Sequence, residues 1–546
     1  MAAGMDRRSV VFGGGAALVP LAWPGRLVAQ ASASSGGALS GGDGALADAE
    51  IDDLVETFRA RFEVPGLAVC IVRPGQAPFA RGYGLRALGS AGAVDAHTRF
   101  AIGSNSKAFT SAMLAILVDR GKLAWDTPVV ALLPEFRLYD PVATQQFTVR
   151  DLLIHNSGLP LGAGDLMTFP ATSHTLDDIL HGLRFLKPVA GFRTAYAYDN
   201  TLYLVAGMII ARLTGQSWEA AVTKEILQPL GMTGTVAGFS ALNGQNVAGR
   251  HARLGPPVRG LGPVQPIMPH EQDKIDAAGG INASAHDAAA WLAVQLARGR
   301  LPDGSRLWSE AQAGEMWAPR TIVSSDAGPD SAKPARSVIA GYALGWFVQQ
   351  YRDQRLLSHA GGLSGQITQH ALLPERGIGL AVYTGTEERY SSVGLRNALL
   401  DRLIGVAPAD WVALMLAQRE ADHARALKDF GGGAIPQPAG GPALPLAAYA
   451  GRYRDPWYGD IAVTQGPAGL HIRFVPTPVF EGPLEVWGTD SFRTRFGPQA
   501  EEDAVVHFAV EQGRVTGVTI AALSPLADFS YDFQHLAFVP VGPVSR

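Results

Sequence analysis

The sequence predicts an α+β (α/β) protein: a large domain with an antiparallel sheet and an inserted helical region, followed by a small all-β C-terminal domain. Three observations carry that reading. Strand-like apolar runs stand near both ends of residues 47–405 with helical periodicity between them, so one sheet is closed by the two ends of a single domain. A stretch rich in Gly and Pro, Asp429 to Leu444, then punctuates the helix-and-linker region 406–444. Beyond it, residues 445–546 alternate apolar and polar side chains in short runs, clearest from Tyr449 to Val541, as a small antiparallel barrel does.

Composition sets the bounds. Of 546 residues, 47% are hydrophobic and only 17% charged, against a usual ~25%, so the chain has a sizeable core and is neither disordered nor a solvated rod. Its 64 glycines and 36 prolines imply many turns. A formal net charge of −4, with no basic block, offers no footprint for nucleic acid or an anionic membrane surface. The single cysteine, Cys70, lies in the apolar run Leu67-Ala68-Val69-Cys70-Ile71-Val72 and is expected in the core.

Taken in order, residues 1–31 look like an export signal. Asp6-Arg7-Arg8-Ser9 precedes a small apolar stretch, Val10 to Leu21, and Ala29-Gln30-Ala31 fits a small-x-small cleavage site. The paired arginines fit a twin-arginine signal as well as an ordinary secretory one, and either leads to the periplasm or beyond. No stretch of the mature chain is long enough to span a membrane. Residues 32–46 read as a flexible lead-in. A helix from about Ala47 to Arg61 places Ile51, Leu54, Val55 and Phe58 on one face. Strands follow at Leu67 to Val72 and Phe79 to Tyr83, then a helix-dominated middle. Strands return at Tyr342 to Gln350, Arg355 to Ala360, Gln369 to Leu373 and Gly379 to Tyr383.

The chemistry concentrates in three places. Ser104-Asn105-Ser106-Lys107, the one S-x-x-K in the chain, opens an apolar-periodic helix through Phe109, Met113, Ile116 and Leu117. Residues three apart share a helix face, so the Lys107 amine stands a turn behind the Ser104 hydroxyl, and the helix N-terminus favours an anion there by ~0.3–1 kcal/mol. A lysine packed among apolar side chains loses stabilisation of its charged form and can accept the serine's proton. The bland alternative is an N-cap serine with a surface lysine.

The second place is Tyr198-Asp199-Asn200, just before the apolar helix Tyr203 to Leu213. A phenol beside an ammonium ionises below its ordinary pKa of ~10 and can act as acid or base, while the Asn200 carboxamide can orient an ester or amide. Tyr196 and Tyr203 are rivals for that phenol, and packing is the alternative for all three. The third is His359-Ala360-Gly361-Gly362, ending the strand Arg355-Leu356-Leu357-Ser358. Glycines at a strand edge admit substrate backbone, and the N–H groups of Gly362 and Ser104 can converge as an oxyanion hole, where one donor is worth ~10²–10³ in rate. A β-bulge with a structural histidine is the alternative.

The order and spacing of these elements resemble the serine β-lactamase and penicillin-binding superfamily, most closely the class C β-lactamase-like serine hydrolases. Leu152-Leu153-Ile154-His155-Asn156-Ser157-Gly158-Leu159-Pro160, Gln228-Pro229-Leu230-Gly231-Met232 and Ala278-Gly279-Gly280-Ile281-Asn282-Ala283-Ser284 extend the resemblance, which covers roughly residues 50–405. The tail from about residue 449 is similar to the lipocalin-like β domain attached to some of these hydrolases. The resemblance implies Ser104 as nucleophile, Lys107 as its base partner, Tyr198 as catalytic base or acid, Asn200 as a substrate-orienting residue, and His359-Ala360-Gly361 as the strand edge under the acyl group. It makes the His155 segment and Gly279-Gly280 structural turns. Ser284-Ala285-His286-Asp287 looks like a capping box for the helix through Trp291.

One departure bears on substrate. Class C β-lactamases carry a lysine where this chain has His359, and a largely neutral imidazole offers a carboxylate less. The expectation is an exported hydrolase of a small-molecule ester, amide, peptide or lactam, of esterase, amidase or D-amino acid peptidase type, working through a Ser104 acyl-enzyme. A β-lactamase, or a penicillin-binding or ligand-sensing module with little turnover, is the alternative. No G-x-S-x-G elbow, H-E-x-x-H, paired C-x-x-C, Walker A loop or G-x-G-x-x-G turn occurs, so neither metal nor cofactor is expected.

Overall fold

Alternation along the strand Gly66–Val72 sends Leu67, Val69 and Ile71 into one hydrophobic cluster and Ala68 and Cys70 into another, so both faces of the sheet it belongs to are covered. The computed structural model describes residues 46–244, 246–256, 259–269, 271–325, 334–429 and 439–542; the expected export signal lies outside them. The sheet has eight strands in the spatial order Phe79–Gly84, Gly66–Val72, Ile378–Thr384, Gln366–Leu373, Gln354–Leu363, Phe347–Tyr351, Ala340–Tyr342 and Thr321–Ser324. N- and C-terminal strands meet as the second and third of the eight, where Leu67 pairs with Thr384 in an antiparallel ladder. The two ends of one domain therefore close the sheet.

One face is covered by the helices Asp48–Arg61, Arg389–Leu403 and Trp411–Asp429 through Ile51, Val55, Phe58, Leu395, Leu399 and Trp411. On the other face lies the helix Ala285–Leu296, whose Trp291 stacks on Phe109 at 3.7 Å. Beyond it stand the helices of the inserted region, chiefly Lys107–Asp119 and Thr201–Thr214. Every residue from Lys107 to Leu117 is buried, and each large apolar side chain so buried contributes about 1.5–3 kcal/mol. Burial also pushes the Cys70 thiol up to about 12, which keeps it an inert core group.

Two local expectations change. The single strand expected over Tyr342 to Gln350 is two, Ala340–Tyr342 and Phe347–Tyr351, because Gly345 takes φ +82° to pass against the backbone of Lys107 and Ala108. Ser284 does cap its helix, accepting from Asp287 N at 3.2 Å. The carboxylate that would close the box turns instead to Gly234 N at 2.9 Å and Thr235 Oγ1 at 2.8 Å.

The C-terminal part is a closed eight-stranded antiparallel barrel running from Gly451–Asp455 to Ala537–Gly542, whose first and last strands pair through Tyr453 and Pro540. Its interior is aromatic, with Tyr449, Phe492 and Phe508 packed edge to face at 5.2–5.6 Å. Among the described residues no helix is long and apolar enough to cross a membrane.

Candidate active site

Ser104 lies on a 3-10 turn, Gly103–Ser106, between the strand Arg99–Ala101 and the helix Lys107–Asp119. The helix was expected to open at Ser104; the tighter turn delays it to Lys107. With three residues per 3-10 turn, positions 104 and 107 eclipse, and Lys107 Nζ stands 3.0 Å from Ser104 Oγ. Side chains pin the turn. Asn105 Nδ2 donates to Ile102 O at 3.2 Å and Thr368 Oγ1 at 2.8 Å, and Ser106 Oγ accepts from Ile281 N at 3.0 Å. Of the four turn residues, Ser104 is the one not buried.

Lys107 is fully buried, and burial lowers its pKa from the ordinary 10.5 to about 7, with Asp165 and Asp199 opposing the shift. Its amine also donates to Asn200 Oδ1 at 2.7 Å and Ala278 O at 3.0 Å. Two fixed acceptors leave the third position on nitrogen directed at Ser104, so the neutral amine presents its lone pair to the serine hydroxyl. Asn200 Nδ2 donates to Asp165 Oδ2 at 2.9 Å, which sets which end of the amide meets the lysine. The carboxamide expected to orient substrate thus has its oxygen on Lys107 and its nitrogen on Asp165. Ala278, just before the Gly279-Gly280 pair expected as a structural turn, supplies a backbone acceptor that no side-chain motif announces.

Tyr198 lies beside the lysine, its ring centroid 4.8 Å from Lys107 Nζ. Its hydroxyl is buried, and Ser104 is the one group that interacts with it as a hydrogen-bond partner. Burial pushes the phenol well above 10, with Ser104 pulling it partway back, whereas the sequence reading expected a fall. The reason is that desolvation of the buried phenol outweighs its charged surroundings, while Lys107 beside it is itself driven toward neutrality. Of the rivals, Tyr203 donates to Leu153 O at 2.7 Å, and Tyr196 packs against the rings of His155 and Tyr342 at 5.8 and 5.9 Å.

Two histidines complete the surroundings. His155, at φ +55°, accepts from Asp199 N through Nδ1 at 3.2 Å and packs 4.2 Å from the Tyr198 ring. It therefore holds the Tyr198-Asp199-Asn200 segment from below, a role the turn reading missed. His359 Nε2 lies 2.9 Å from Tyr342 Oη and Nδ1 lies 2.6 Å from Ala360 O; an Nδ1–H tautomer satisfies both, with Tyr342 donating. Burial, aided by Lys107, lowers the His359 pKa to about 3, so the imidazole is neutral at any physiological pH.

The strand Gln354–Leu363 loses its neighbour partway: Phe347 pairs with Ser358, and no described strand pairs with residues 359–363 on that side. Ala360 and Gly362 are exposed along this edge while Gly361 is buried. A Cβ on Gly361 would stand 1.8 Å from Ile102 O, so a glycine is what lets the edge lie against the serine turn. The Gly362 nitrogen is correspondingly close, 3.0 Å from where a Cβ on Gly103 would sit.

A hydroxyl, an amine titrating near neutrality, a buried phenol beside the hydroxyl and an open glycine edge are the parts of serine acyl-transfer chemistry, and on this fold they define a serine hydrolase. The chain belongs to the β-lactamase family: the Beta-lactamase family profile matches residues 51–403, and a domain of unknown function, DUF3471, matches residues 436–540. Unguisins hydrolase ungD' of Aspergillus campestris (strain IBT 28561) is 31% identical over 436 residues, covering 76% of this chain and 77% of its own. Protein flp of Staphylococcus aureus is 25% identical over 346 residues, covering 62% and 64%. Among solved structures, the octameric penicillin-binding protein homologue from Pyrococcus abyssi aligns with TM-score 0.56 at 21% identity over 90% of this chain and 99% of its own. A class C β-lactamase aligns with TM-score 0.53 at 19% identity over 66% and 96%. At those identities the structures share the fold.

Proposed function

We propose that this protein hydrolyses an ester or amide bond of a small-molecule substrate through an acyl-enzyme on Ser104, as an esterase, amidase or D-amino acid peptidase. The observation that carries the proposal is Ser104 Oγ at 3.0 Å from a buried amine whose pKa is about 7. Neutral Lys107 takes the serine proton as Oγ attacks the substrate carbonyl. The N–H groups of Ser104 and Gly362 receive the developing oxyanion. Tyr198, a phenol that stays protonated, donates to the leaving oxygen or nitrogen as its bond to carbonyl carbon breaks, and the proton held by Lys107 replaces it. Water then attacks the acyl-enzyme, losing its proton to the Lys107 amine, and the ammonium returns that proton to Ser104 Oγ as its bond to the carbonyl carbon breaks, releasing a carboxylic acid product.

Neutral His359 supports a substrate that carries no carboxylate at the position where a class C β-lactamase offers a lysine. That a 31%-identical relative is named a hydrolase agrees with turnover rather than binding alone. Export to the periplasm or beyond rests on the arginine pair, apolar stretch and Ala29-Gln30-Ala31 of residues 1–31.

The test is a panel of p-nitrophenyl esters and amides with the wild type and Ser104→Ala, read by hydrolysis and by intact mass after an acylating inhibitor. Wild-type turnover is expected, falling at least about 10³-fold in Ser104→Ala with loss of the covalent adduct. An adduct that persists in Ser104→Ala overturns the assignment of the nucleophile. Labelling of Ser104 by a penicillin without hydrolysis of any panel member overturns the enzyme reading in favour of a penicillin-binding module.

A further inference from the structure

We propose that the C-terminal barrel supplies a wall of the active site on the leaving-group side, with Phe529 as a specificity-determining residue. This rests on the acyl-transfer reading above and specifies which part of the substrate the barrel selects.

The segment between the last two barrel strands, Arg514–Ala522 and Ala537–Gly542, reaches Tyr198 beside Ser104. Its Phe529 ring lies edge-on to the Tyr198 ring at 5.8 Å. A Cβ on Gly162 would stand 2.8 Å from both the ring Cδ2 and the carbonyl oxygen of Phe529, so ring and backbone lie against this glycine, and Gly162 N in turn donates to Tyr198 O at 2.9 Å. The loop is clamped on the C-terminal side of the ring. Ser530 Oγ donates to Asp165 Oδ2 at 2.9 Å, the same oxygen that receives Asn200 Nδ2, the partner of Lys107. Fully buried Asp532 accepts from Gly164 N at 2.8 Å and Leu166 N at 3.0 Å. A ring anchored this firmly would ordinarily be packed away, yet Phe529 is 37% exposed.

The departing atom must come within hydrogen-bond reach of the Tyr198 hydroxyl to take its proton. Whatever is attached to that atom then lies against the apolar surface beside Tyr198, which Phe529 provides. The geometry selects an alcohol or amine leaving group bearing an aromatic or branched apolar side chain, and it assigns that selection to the barrel rather than to the catalytic domain.

The experiment measures kcat/KM of the full-length wild type, Phe529→Ala and Phe529→Leu on two series: acetate esters of methanol, benzyl alcohol and 2-naphthol, and p-nitrophenyl esters from acetyl to octanoyl. Relative to wild type, Phe529→Ala should lose about five- to tenfold on the benzyl and naphthyl esters and less than about twofold on the methyl ester, with Phe529→Leu between. The preference along the acyl series should stay unchanged. An equal loss on all leaving groups means that Phe529 only holds Tyr198 in place, and an effect that follows acyl length places the wall on the other side of the scissile bond; either overturns the proposal alone. Absence of Ser104-dependent turnover in the wild type overturns the acyl-transfer reading and this proposal with it.

Discussion

Lys107 is where the physics of the site is most concentrated, because burial removes the solvation of an ammonium that no carboxylate contacts directly. Its pKa of about 7 makes the neutral amine the minority form below pH 7 and the majority form above it. In the proposed mechanism the neutral amine accepts the serine proton, so kcat/KM for a neutral ester should rise with pH through a midpoint near 7 and level off. Asp199, which burial raises to about 7, titrates in the same window and could mimic that limb. The two are separated by Asp199→Asn. Losing a carboxylate that favours the ammonium lowers the Lys107 pKa, so the limb should persist with its midpoint shifted to lower pH. A pH profile whose limb disappears in Asp199→Asn assigns it to the carboxyl group instead.

At the scale of elements, the site depends on how closely a strand edge approaches a turn. The run His359-Ala360-Gly361-Gly362 was visible as a glycine-bearing strand end, but the atom that demands glycine, Ile102 O, belongs to a segment more than 250 residues earlier. Gly361→Ala must push the edge away from Ser104, since a carbon 1.8 Å from a carbonyl oxygen cannot be accommodated by a side-chain rotation. Displacement of the edge by about 1 Å misplaces the Gly362 N–H, and kcat/KM should fall by roughly 10²-fold or more while the fold is retained. Steady-state kinetics paired with thermal unfolding check this. Retained activity would mean that the edge is not part of the oxyanion site.

On the scale of the molecule, catalytic domain and barrel are joined by a buried ion cluster. Arg259 donates to Glu501 Oε2 of the barrel at 2.5 Å and to Glu387 of the catalytic domain, and Ser364 Oγ donates to the same Glu501 oxygen at 2.9 Å. Glu387 also accepts from Gly365 N at 2.8 Å, in the turn that follows the active-site edge. Burial raises Glu387 to about 7, with Arg259 holding it down. Arg259→Ala strips the buried Glu501 carboxylate and the partly exposed Glu387 carboxylate of their cation and should cost about 3 kcal/mol, measured by chemical denaturation of the full chain. A loss below about 1 kcal/mol would show that the cluster is solvated and that other contacts join the two parts.

The residue types of the site, their order, the helices and strands that carry them and the barrel after the linker were all determined by the sequence, because hydrophobic period, turn chemistry and the spacing of a serine from a lysine act over a few residues. Tertiary structure decided the rest. It reversed the expected shift of Tyr198, gave the Asn200 oxygen to Lys107, set His155 and Tyr342 around the phenol and the imidazole, and brought Ser530 to Asp165 across 365 positions of chain. Desolvation and hydrogen-bond partnership depend on what packs around a group from every direction. A one-dimensional pattern records only its neighbours along the chain, so the chemistry was legible before its electrostatics were.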